Sequence, residues 1–175
     1  MEEHAVFLKT LLDAKPEFTS GLRQLLDYCR SVNPSAPWHE LEQVDFDADA
    51  DAFRSWLDES APDRIEAQPV RAYYLGLPDD GAELHLDGTP TFEPEDDTCD
   101  WACSFIYRAE DEWTSSQALF AFASISEQAD DEIPALLYLL CLGYTGLLAQ
   151  LHAPAILRKP VAVGFDDGDA FVAVA

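Results

Sequence analysis

The chain has 175 residues, 48% of them hydrophobic and 11% aromatic, and carries a formal net charge of −24. That length suits one compact domain with a real core, and the apolar content argues against intrinsic disorder. Its acidity, with a pI near 4.1, disfavours nucleic acid, whose phosphates need Lys and Arg, and disfavours anionic membrane surfaces.

Lysine is limited to Lys9, Lys15 and Lys159 while Asp and Ala are plentiful. Such a field can steer a basic partner, or it can serve solubility or a saline cytoplasm. Met1-Glu2-Glu3 opens acidic and runs straight into an amphipathic pattern. A signal peptide would begin basic and continue apolar, so a cytoplasmic location is expected.

In chain order, Glu2–Ala14 sets Ala5, Leu8, Leu11 and Leu12 on one side of a helix that Pro16 interrupts. Glu17–Val32 repeats the spacing with Phe18, Leu22, Leu25, Leu26 and Cys29, so the two should form an αα-hairpin. Asn33-Pro34-Ser35-Ala36-Pro37 is a breaker. His39-Glu40-Leu41-Glu42-Gln43 resembles the start of a zinc-protease helix, but Gln43 stands where the second His is required.

The alternating aspartates from Asp45 to Asp51 fit the first positions of an EF-hand loop. Ala50 replaces the glycine of the sharp turn, however, and Trp56 the closing Glu. These acids should instead cap and charge a helix, Asp49–Glu59, with Phe53, Trp56 and Leu57 inward.

Val70–Leu77 reads as a strand, Ala82–Leu86 as a second after the Pro78–Gly81 turn, and Thr89–Phe92 as a third after Asp87-Gly88. Asp100–Arg108 reads as a further strand, with Trp101, Cys103, Phe105 and Tyr107 on one face. The short turns imply an antiparallel meander. Thr114-Ser115-Ser116-Gln117 is a capping box for a helix bearing Ala118, Leu119, Phe122 and Ile125.

Ile133–Leu151 then carries no charged side chain. It reaches the lower range for a membrane span. The amphipathic segments around it need an apolar partner, so it is expected to be a buried core helix that starts near Asp131 and ends near His152. Val161–Phe165 and Ala170–Val174, joined through Asp166-Asp167-Gly168-Asp169, should close the fold as a hairpin.

The expected fold is therefore α+β. It is one domain over residues 1–175: an N-terminal helical hairpin, an antiparallel β-meander and a C-terminal hairpin, packed on a buried apolar helix.

Chemistry is constrained mainly by exclusion. No GxGxxG, GxxxxGK[ST] or GxSxG pattern is present. Cys29 and Cys141 lie in apolar helical patterns, and Cys99 and Cys103 have no second Cys/His pair at zinc spacing, so no cofactor or metal is expected. His85 alternates with Glu83 and Asp87 along one strand face, where an exposed position is expected. The alternative readings are an enzyme or metal-dependent protein of unfamiliar type built on His85 and nearby carboxylates, or a housekeeping domain whose acidity serves solubility.

Acids crowd Asp79–Glu112, where Arg108 is the one Lys or Arg. The favoured expectation is a non-catalytic protein that binds a basic protein partner through Asp96, Asp97, Asp100, Glu110, Asp111 and Glu112, with Trp113 as apolar anchor. An immunity or inhibitor protein for a cationic toxin is its concrete form. In size, acidity and layout the chain is similar to many bacterial toxin-immunity proteins, a similarity that covers no motif and transfers no residue.

Overall fold

A long helix, α6 (Ala135–Ile156), is apolar on every side and so takes the middle of the molecule. The computed structural model describes residues 2–63, 69–93, 100–129, 135–166 and 171–173. Buried residues make up 72% of the helix's most apolar window, so it is the core helix rather than a lipid-facing one. It runs a turn further than the charge pattern suggests and includes Pro154. The expected start near Asp131 lies outside the described residues.

The first two helices, α1 (Glu2–Asp13) and α2 (Phe18–Val32), pack against α6 as a hairpin. Glycines set how closely they approach. A Cβ at Gly143 would lie 2.6 Å from a Leu25 methyl, and one at Gly146 would lie 2.8 Å from a Leu12 methyl. The breaker after α2 leads into a 3₁₀ turn, Trp38–Gln43, on which His39 faces solvent.

Helix α3 (Phe46–Ser60) starts three residues earlier than its apolar pattern alone implies, because Asp45 is the cap: its Oδ1 accepts from the Ala48 N–H at 3.1 Å. Asp49 turns inward and is only 6% exposed. It accepts bonds of 2.8 Å each from the Ser116 hydroxyl, the Gln117 N–H and the Tyr144 hydroxyl. One carboxylate thus joins α3, α6 and the N-terminus of α5 (Gln117–Gln128).

The capping box is displaced accordingly. Ser116, not Thr114, is the N-cap, accepting from the Leu119 N–H at 3.1 Å, and Asp49 supplies the acid. Cys29 and Cys141 are fully buried, and burial pushes the Cys29 thiol up to about 12.

The strands β1 (Ala72–Leu77), β2 (His85–Thr89), β3 (Tyr107–Arg108), β4 (Val161–Phe165) and β5 (Phe171–Ala173) form one sheet in the order β3-β2-β1-β4-β5. The meander β1-β2-β3 and the hairpin β4-β5 are antiparallel, as expected. They join through a parallel pairing of β1 with β4, which makes the sheet mixed. The whole is an α+β fold.

Two segments depart from the sequence reading. Asp87-Gly88 is not a hairpin turn, because β2 runs straight through it. Gly88 serves close approach instead: a Cβ there would meet Val70 at 2.9 Å. Asp100–Arg108 is not one strand but a short helix, α4 (Asp100–Cys103), followed by β3. The helix lays Trp101 edge-on against Tyr74 and Phe92, capping the sheet face turned away from α6. A continuous edge strand could not reach over that face.

Candidate functional site: an acidic groove beside a buried charge cluster

The end of α3 and the segment after β3 come together through two hydrogen bonds. The Trp56 indole N–H donates to the Asp111 carbonyl at 3.0 Å, and the Tyr107 hydroxyl donates to the Ser60 carbonyl at 2.7 Å. Between them lies a groove of about 640 Å³. Glu59 and Asp63 line it from α3 and its exit, and Glu110 and Asp111 from the far wall. All four are exposed.

Trp56 and Tyr107 contribute aromatic surface, and Ile106, 49% exposed, sits on the rim. The polar ends of both aromatics are engaged in the bonds just described, and the Trp56 ring, only 8% exposed, packs on Phe53 and Trp113. Such a lining of carboxylates suits a cationic side chain.

Arg108 is the only Lys or Arg among the described lining residues, and its charge is turned elsewhere. Successive strand residues point to opposite sheet faces. Tyr107 therefore faces the groove, and Arg108 faces the outer side, opposite Asp87 in the ladder. Its Nε and Nη2 donate to Asp87 Oδ1 and Oδ2 at 2.7 and 2.6 Å. The guanidinium also lies 4.3 Å over the Phe105 ring.

Asp87 is 2% exposed. Burial alone would raise its carboxyl, but the bonds from Arg108 and His85 outweigh that and hold it below the ordinary carboxylate range. His85 is buried rather than exposed, a correction to the strand-face reading. Its Nε2 stands 3.4 Å from both Asp87 Oδ2 and Asp166 Oδ1.

Gly76, paired with His85 across the ladder, makes the room, since a methyl there would overlap the imidazole. Burial raises the Asp166 carboxyl despite the nearby His85 and Arg108. Of the other histidines, His4 bonds the Tyr28 hydroxyl at 3.0 Å, and His152 packs beside Phe53. Among the described residues no group of three His, Cys, Asp or Glu side chains is arranged to hold a metal.

The residues expected to bind a partner are distributed unevenly. Glu110 and Asp111 are in the groove. Glu112 stands beside Glu83 instead, whose carboxyl is raised by local desolvation and by that neighbouring acid. Asp96 and Asp97 lie outside the described residues, as does the side chain of Asp100 at the start of α4.

Trp113 is 2% exposed and is a core residue, not an exposed anchor. Backbone bonds of 3.1 and 2.8 Å with Leu84 hold it beside β2, and its ring packs on Phe53 and Trp56. Ile106 and Phe105 supply the exposed apolar surface in its place.

Glu59 and Asp63 escaped the sequence reading because nothing local ties them to Glu110 and Asp111. The available signal was the Pro62 that ends the helix just between them, leaving two acids at an exposed corner. Comparison of the chain with protein-family profiles, curated proteins and solved structures finds no match.

Proposed function

We propose that the chain is a non-catalytic binding protein whose acidic groove receives a basic segment of a partner protein. A bacterial immunity or inhibitor protein that neutralises a cationic toxin is the concrete form. The observation that carries the reading is the groove's lining: Glu59, Asp63, Glu110 and Asp111 line it from both walls, while the only Lys or Arg among the described lining residues is tied to Asp87. Charge complementarity speeds encounter, and apolar contact at Ile106, 49% exposed, adds affinity once water is excluded.

The test is affinity capture from host lysate with the native protein and with Glu59→Lys/Glu110→Lys/Asp111→Lys, eluted in salt steps. A basic protein held to high salt by the native chain and lost by the variant supports the reading. Equal retention by both proteins overturns it.

A second reading, acid–base or metal-dependent activity at His85, draws on the contact of one ring nitrogen with two carboxylates. Metal analysis of native protein and His85→Ala separates the two. Stoichiometric metal lost with His85 favours the second reading, and its absence together with unchanged partner binding favours the first.

A further inference from the structure

We infer that Asp87 is a positioning residue that keeps Arg108 out of the acidic groove, so that the groove stays open to an incoming cation. This rests on the groove reading above and adds how the site is kept clear of the Arg108 guanidinium.

Arg108 sits at the groove edge on a two-residue edge strand, two positions from Glu110 and three from Asp111. Its side chain is 50% exposed, so packing alone does not confine it. A flexible arginine stem beside several carboxylates would ordinarily fold onto them and occupy the site itself.

Asp87 prevents that by geometry. It lies directly across the ladder on the outer face, its side chain is 3% exposed, and both oxygens are engaged by the guanidinium. A bidentate pair fixes orientation as well as position. Phe105 closes over the guanidinium from one side. The carboxylate is itself steadied by His85, 3.4 Å from Oδ2. Asp87 touches no groove residue other than Arg108 in any of these contacts, so it acts through Arg108.

The experiment measures an octa-arginine peptide, as a probe for a basic segment, binding to four proteins at about 0.15 M salt. Asp87→Asn should weaken binding roughly tenfold, because the released guanidinium competes for the carboxylates. Arg108→Gln should bind within about threefold of the native protein, and Asp87→Asn/Arg108→Gln should return to that level. A double variant as weak as Asp87→Asn would show a merely structural role and overturn the inference. So would native-like binding by Asp87→Asn.

Should Asp87→Asn fail to fold, Arg108→Lys replaces it. Lysine keeps the charge but cannot span both oxygens, so it should weaken the peptide by about threefold, and unchanged affinity would count against the inference.

Carboxyl carbon shifts of Glu110 and Asp111, recorded without peptide, test the same point independently of any partner. They should move in Asp87→Asn and not in the double variant. If the native protein does not bind the peptide, the groove reading fails, while these shifts still decide where Arg108 goes.

Discussion

The two faces of the sheet are built from alternate residues of the same strands, and they do different work. The inner face presents Tyr73, Leu75, Leu77, Leu84, Leu86, Val161, Val163 and Phe165 to the main core around α6. The outer face presents Ala72, Tyr74, His85, Asp87, Thr89 and Ala162, and it is equally buried. On the first, burial removes apolar surface from water and supplies stability without direction. On the second, each buried polar group needs a named partner, so burial fixes orientation. The inner face holds the fold together, and the outer face decides where charges point.

That contrast can be broken or sharpened by substitution, with effects of decreasing size. Leu75→Ala on the inner face removes a fully buried side chain and should cost about 3 kcal/mol. Urea unfolding checks it, and the groove's affinity for a basic peptide should be unchanged at temperatures where the variant stays folded.

Gly76→Ala on the outer face should cost about 2 kcal/mol by overpacking, because the methyl would overlap His85. Its signature is local: the His85 ring resonances should shift strongly, whereas those of Leu75 and Leu77 should barely move.

Asp87→Asn should cost about 1–2 kcal/mol, discounted because Arg108 is half exposed. Its pH dependence gives the sign. The folded carboxyl lies below its ordinary value of 3.8. Its contribution is therefore present above that value and lost as pH falls through the lowered one. Acid unfolding of the native protein should show this loss below about pH 4, and Asp87→Asn should flatten that part of the curve. An unchanged acid limb would mean that the pair contributes nothing.

Much of the architecture could be read before any coordinates. The αα-hairpin follows from leucines at helical spacing broken by Pro16, and α6 from a run whose charge-free length left no solvent face. The antiparallel pairing of β1 with β2 follows from the short turn after Pro78, whereas β2 reaches β3 through a longer connection that contains α4.

What escaped the reading depends on contacts between distant parts of the chain. The parallel β1–β4 pairing joins strands separated by three helices and two further strands. Trp101 followed the alternation of a strand, yet the uncovered outer face around Tyr74 drew it into a helix. His85 looked exposed because its strand neighbours are acids. Asp166, from the other end of the chain, Arg108 and the space at Gly76 turned the same position into a buried one.

The site divides in the same way. Glu110 and Asp111 stood out in a local run of acids, whereas Trp113 in that run was claimed by the core through its backbone bonds to Leu84. Glu59 and Asp63 joined the site only because Trp56 and Tyr107 each reach across to the opposite wall.

The measurement that tests the groove most directly is a titration of isotope-labelled native protein with the octa-arginine peptide, followed by backbone amide shifts. The account predicts saturable shifts concentrated in residues 59–63 and 106–111, with the acids of α1 and α2 unmoved at about 0.15 M salt. Shifts spread evenly over the acidic surface, or centred elsewhere, would contradict it.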